Sequence, residues 1–309
     1  MVQLELDKER LVTENQYLLQ QLKQAQLKLA QYTPGTGAAM HPIDTGGYYA
    51  LVIGISLYEK NWDHLPTAEP DAAAVAQMLK SRYGFEVKLL SNGEATKTAI
   101  LRTLDSYEKR LQPDDNLLIY YAGHGNRELD KSFWLPIDAD PEYRDTWIMA
   151  DELTARLKVQ HARHILVVSD SCYAGGMRSG DKVGDILAPG NDSVSSDQKT
   201  QFLNKMLKSK SRHLMASGNL EPVADAGSGG HSVFAAAFLR GLQRDDFGPY
   251  FTAGDLFSAA ISHQVGGSAD QTPQYVPIQN SGDSETDEIG DFIFTRKPVT
   301  SLPTQPSIQ

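Results

Sequence analysis

The chain has very little cysteine: one residue, Cys172, among 309. A single thiol excludes an intramolecular disulfide framework and any zinc site built from several cysteines, and it suits a reducing compartment. Long apolar runs are also missing, since nothing approaches the ~20 consecutive apolar residues of a membrane span. Residues 1–30 are polar and show no secretory leader. Excess positive charge is absent as well. The net charge is -10 and the pI about 5.3, which argues against a partner such as duplex nucleic acid, whose binders present a basic face. These absences predict a water-soluble, cytoplasmic protein with no nucleic-acid or membrane partner.

The first 32 residues also lack glycine and proline. Leu4, Leu11, Leu18, Ala25 and Tyr32 fall at heptad position d, with Lys8, Asn15, Leu22 and Leu29 at position a. This is a coiled-coil seam of four heptads, and a polar Asn15 at position a fixes register. It predicts self-association or docking of a partner helix. Residues 33–47 (TPGTGAAMHPIDTGG) read as a flexible linker, and the Pro/Ser/Thr-rich tail from 296 to 309 as disordered.

Between them strands and helices alternate. YYALVIGI (48–55), NLLIYYA (116–122) and HILVVS (164–169) are continuous apolar runs, as expected of strands buried on both faces. Residues 85–90 and 212–217 read as further strands. Residues 71–82, with Asp71 as a cap, 97–111, 151–157 and 232–242 read as helices. The pattern predicts an α/β protein, a three-layer α/β/α sandwich with a mostly parallel central sheet, over residues 48–295.

Reactive groups in such sheets collect where the chain leaves the carboxyl ends of the strands. One strand exits into Gly123-His124-Gly125 and another into Asp170-Ser171-Cys172. A thiol and an imidazole at one edge suffice for covalent catalysis, with the thiolate attacking a carbonyl and the imidazole protonating the departing amine. The backbone N–H groups of Gly125 and Cys172 are candidates for an oxyanion hole. The remaining histidines, His41, His64, His161, His164, His213, His231 and His263, have no comparable context and read as structural.

The segments YYAGHG (120–125) and DSCYAGG (170–176) resemble the histidine and cysteine motifs of caspase-like cysteine peptidases, closest to the prokaryotic metacaspase-like proteins (orthocaspases). The spacing of forty-eight positions from His124 to Cys172 matches that of the family. YYALVIGISLYEK, LPTAEPDAAAVAQML, LMASGNLEPVAD, GGHSVFAAAFLRGL and GDFIF extend the similarity across residues 48–295. The resemblance implies a large-subunit part (48–177), a mobile loop (178–211) and a small-subunit part (212–295).

The sequence around Cys172 departs from the Q-A-C-[RQG]-G motif of caspases. Asp71 and Asp170 match the acidic positions that line the family's pocket for the residue before the scissile bond. The implied substrates are proteins or peptides with Arg or Lys at that position. No cofactor or metal is implied by the residues, while the resemblance leaves calcium dependence open. Arg178, Lys182 and Lys199 in the predicted loop are candidate self-processing sites. The rival readings are a catalytically idle adaptor assembled by its coiled coil and another cysteine hydrolase, such as a transpeptidase, using the same pair.

The heptad pattern carries its own test. Light scattering of the full chain should return a larger mass per particle than that of a shortened chain beginning near Gly46. Equal monomer masses would leave only the docking of a partner helix.

Overall fold

A computed structural model describes residues 45–172, 196–218, 230–268, 271–278 and 290–297. The coiled-coil segment, most of the linker and the stretch holding Arg178 and Lys182 lie outside the described residues.

The three apolar runs form the centre of the molecule. β1 (Tyr48–Gly54), β3 (Asn116–Ala122) and β7 (His164–Asp170) lie side by side in parallel, and every residue of β3 and β7 is buried. β2 (Glu86–Ser91) closes one edge beside β1, and β8 (Ser211–Ala216) pairs with β7 in parallel. A last strand, β10 (Gln274–Pro277), joins β8 antiparallel, so the six-stranded order is β10-β8-β7-β3-β1-β2.

Both faces are covered, which is why the central strands carry no polar alternation. On one face α1 (Ala68–Met78) and α5 (Val233–Gln243) bury Val75, Phe234 and Phe238 against Ala50, Val52, Tyr120 and Val168. On the other, α2 (Lys97–Arg110) and α3 (Ala150–Val159) bury Ile100, Leu104, Leu153 and Leu157 against Leu51, Ile53, Leu117 and Val167. The α/β sandwich expected from the sequence is present. α1 lies so close to β1 that a Cβ on Gly54 would come within 2.4 Å of the Ala72 Cβ, so glycine is required there.

Two small sheets supplement the layers: β4 (Gly125–Glu128) with β5 (Lys131–Trp134) and β6 (Ile148–Met149), and β9 (Tyr250–Thr252) with β11 (Ile293–Thr295).

Four sequence readings need correction. α1 begins at Ala68 with Thr67 as the residue before it, so Asp71 lies inside the first turn and is not the cap. Residues 196–208 of the predicted loop form a helix, α4 (Ser196–Lys208), which buries Leu203, Met206 and Leu207. At the linker's end the chain is already anchored, because Asn116 Nδ2 donates to Thr45 O and Gly47 N to Asp115 Oδ1 (2.8 Å). At the head of the predicted tail, Arg296 N donates to Pro249 O (3.0 Å) and Lys297 N to Arg82 O (2.9 Å).

Two histidines are buried at the opposite end of the sheet from the strand exits. His213 on β8 is fully buried against Tyr275, and neither ring nitrogen has a hydrogen-bond partner among the described residues. Burial, followed by the nearby His164, lowers its pKa to about 4 from the ordinary 6.5. Between those values the unfolded chain binds a proton that the folded one refuses, so stability present above pH 6.5 is lost as pH falls toward 4. A lowering of that size corresponds to about 3 kcal/mol for this one group. Replacing His213→Phe should flatten that part of the stability–pH curve, measured by urea unfolding at pH 7 and pH 5.

Candidate active site

The register of β3 against β7 decides where the reactive groups emerge. Ala122 stands opposite Asp170, so His124 and Cys172, each two residues further on, leave adjacent strands at the same level. Backbone bonds lock this edge: Ile55 N donates to Ala122 O (3.0 Å), Gly123 N to Asp170 O (3.4 Å) and Ser217 N to Ser169 O (3.0 Å).

Gly125 packs directly on the cysteine's backbone. A Cβ there would come within 1.9 Å of the Cys172 carbonyl oxygen, so no other residue fits without moving Cys172. The two segments carrying the proposed oxyanion donors are therefore in contact.

His124 is held from three sides. Its backbone N–H donates to the Tyr58 hydroxyl (2.7 Å), its carbonyl accepts from the Tyr121 hydroxyl (2.6 Å) and from Leu135 N (3.0 Å), and its Nε2 meets Asp63 O (2.8 Å). A carbonyl only accepts, so Nε2 carries the hydrogen and Nδ1 is the basic nitrogen of the neutral ring. Tyr58 and Trp62 pack beside the imidazole, with ring centroids 4.9 and 5.9 Å away. The β1–α1 loop that supplies these groups is pinned in turn by Asn92 Oδ1, which accepts from Ser56 N (2.9 Å) and Leu57 N (3.1 Å).

His124, Cys172, Asp71 and Asp170 all border one cavity of about 230 Å³, together with Asp63 and His64. Asp170 comes from the end of β7 and Asp71 from the first turn of α1, on the same face of the sheet. The phenol of Tyr120 lies near both: its pKa is pushed well above 10, first by burial and then by the charges of Asp170 and Asp71.

Burial raises the Asp71 carboxyl as well, opposed by hydrogen bonds from Ser232 N and His231. Ser232 caps α5 by accepting from Ala235 N (2.9 Å), and its hydroxyl donates to Asp170 Oδ2 (2.5 Å). A single serine thus ties the two carboxylates to one helix start, where the positive end of the helix dipole faces them.

The sequence alone brought five of these residues forward, His124, Gly125, Cys172, Asp71 and Asp170, and missed Tyr58, Trp62, Asp63, His231 and Ser232 as site residues. Ser232 had a signal, since a serine immediately before an apolar helical run is a cap. The others are recruited across distant stretches of chain, and nothing local marks them. Of the proposed processing sites only Lys199 is described. It lies on α4, exposed, with Nζ donating to Phe247 O (3.3 Å), and not in an open loop. Among the described residues no group of three or more His, Cys, Asp or Glu side chains could hold a metal ion. No helix among them is long and apolar enough to cross a membrane.

Residues 48–281 match the family described as "Caspase domain". The chain belongs to that family. It is 28% identical over 169 residues to a metacaspase-1B of Aspergillus fumigatus, covering 46% of this chain and 40% of the relative. It is 30% identical over 154 residues to a metacaspase-1B of Aspergillus terreus, covering 42% and 39%. The match spans about two fifths of the length of these curated relatives. A solved structure of a Geobacter sulfurreducens protein superposes with a TM-score of 0.51 at 20% identity, over 78% of this chain and 95% of that one, a likeness of fold alone.

The contact at Gly125 yields a direct test. Gly125→Ala should reduce peptide hydrolysis by at least about a hundredfold, the scale of losing one oxyanion donor or misplacing the reacting groups. Its far-UV circular dichroism should stay unchanged, because the displaced groups lie beyond the ends of the core strands.

Proposed function

We propose that this protein is a cysteine endopeptidase that cleaves polypeptides after Arg or Lys, with Cys172 as nucleophile and His124 as acid and base. The observation that carries the reading is the single cavity bordered by the thiol, the imidazole and two carboxylates. A cationic side chain entering it gains charge-assisted hydrogen bonds, whereas an acidic one is repelled.

In this mechanism the Cys172 thiolate attacks the scissile carbonyl carbon, and the carbonyl electron pair moves onto oxygen. The backbone N–H groups of Gly125 and Cys172 receive that oxyanion. When the C–N bond breaks, the His124 imidazolium gives its proton to the departing amine, leaving a thioester on Cys172. A water molecule then attacks the thioester while His124 takes its proton, and the thiolate leaves. The hydrogen bond to Asp63 O keeps the ring in one tautomer throughout.

Self-processing belongs to the same reading, with Arg178 and Lys182 as its candidate sites. Lys199 is set aside because a protease needs an extended backbone, and cutting there would require α4 to open. Assembly through residues 1–32, by self-association or a partner helix, completes the proposal.

A panel of fluorogenic peptides with Arg, Lys, Asp or Asn before the bond, with and without calcium, tests it. Arg and Lys peptides should be hydrolysed, and Cys172→Ala and His124→Ala should each lose several orders of magnitude. Asp170→Ala should cost about 2–5 kcal/mol toward the Arg peptide, tens- to thousands-fold in rate, and Asp71→Ala less. Preferred cleavage after Asp would overturn the basic pocket. Activity surviving in either Cys172→Ala or His124→Ala would overturn the pair.

A further inference from the structure

The two carboxylates of the cavity are not equivalent. Asp170 retains some exposure (8%), but Asp71 has none, although it borders the same space. Its Oδ2 accepts from Ser232 N (3.1 Å), and its Oδ1 accepts from Nδ1 of His231. A substrate cation arriving in the cavity therefore meets Asp71 already engaged.

The three groups around that carboxylate differ in how firmly they are held. Ser232 is buried and fixed by its cap bond to Ala235 N. The helix behind it packs through Phe234 and Phe238 into the core. The imidazole of His231 is 31% exposed, and it follows Gly230, a glycine at φ +82° with nothing within 4 Å of where a Cβ would lie. The third donor, the Thr67 hydroxyl, sits on the residue just before α1 and borders the cavity itself; of the two donors supplied at the start of α5, only His231 can swing away without disturbing the core.

We propose that His231 is a specificity-determining residue, a plug carried by the chain itself that occupies Asp71 until the basic side chain of a substrate displaces it. The inference rests on the basic pocket proposed above. Its physical basis is that a buried carboxylate without a cationic or hydrogen-bonding partner is costly, so Asp71 exchanges one partner for another and does not stand bare. Arg reaches a carboxylate with two parallel N–H donors, where an imidazole offers one, so the exchange favours the substrate. The cost of removing the plug is subtracted from apparent affinity, because only the unplugged fraction binds productively. His231 thereby weakens binding of every occupant and penalises least those that replace its bond best.

Michaelis kinetics of the full chain on an Arg peptide, with benzamidine as a competing cation, decide the matter. For His231→Ala we expect KM to fall roughly tenfold, the scale of one lost charge-assisted bond, with kcat within about twofold of the parent. Inhibition by benzamidine, an equilibrium measure independent of turnover, should tighten by the same factor. His231→Gln, which keeps a neutral donor, should lie between the two and guards against a folding artefact in the alanine variant. KM and benzamidine affinity unchanged or weakened in both variants would overturn the plug and show that His231 merely supports Asp71. If the parent protein prefers Arg and the variants do not tighten, only the plug fails. If the parent shows no preference for Arg or Lys, the basic pocket fails and the plug with it.

Discussion

The pairing of β3 with β7 is the constraint on which the rest of the site depends. In a parallel ladder the register cannot slip by one residue without turning every side chain to the opposite face. Here such a slip would send Tyr120, Ala122, Val168 and Asp170 away from the layer formed by α1 and α5. Burial of both strands on both faces therefore fixes the register, and the register fixes the level at which His124 and Cys172 leave the sheet. The nearness of the imidazole and the thiol is in this sense a by-product of core packing. The contact of Gly125 with the Cys172 carbonyl then converts that rough adjacency into a defined backbone arrangement.

Electrostatics adds a second layer of dependence. Two carboxylates, one fully buried, are gathered at the start of α5, where each would be costly alone. They are tolerated because Ser232 and His231 supply donors and because the helix presents its positive end. The same serine begins the helix and bridges the acids, so the fold and the cavity share one hydrogen-bonding group.

Much of this was legible in the sequence, for a specific reason. Strands such as NLLIYYA are apolar throughout because both faces are covered, and an uninterrupted run of that kind announces a central strand. Glycines around a histidine and a thiol after a strand mark the exits. What escaped was of two kinds. Short elements, β4 to β6 and β9 to β11, are too brief for periodicity to show. α4 carries Leu203, Met206 and Leu207 at helical spacing, yet it reads as loop because the Gly/Ser/Asp-rich stretch before it dominates the local composition. Residues 45–47 and 296–297 read as linker and tail because nothing local reveals that Asp115, Asn116, Arg82 and Pro249 hold them.

The other omissions are long-range by nature. His231 is 160 residues from Asp71 in sequence, and Asp63 is 61 from His124. Neither residue has a local reason to be where it is. A motif identifies groups that do chemistry, since chemistry restricts residue type, but a supporting group need only present a donor or a carbonyl at one point, and many residues can do that. Asp63 contributes a backbone carbonyl, so its side chain need not be acidic for His124 to be held. It follows that the supporting shell is where relatives sharing the His/Cys motifs are free to diverge. A partner of the Asp71 carboxylate can change without touching the His124 and Cys172 side chains, so under the proposed function selectivity can be retuned there while the sheet register stays fixed.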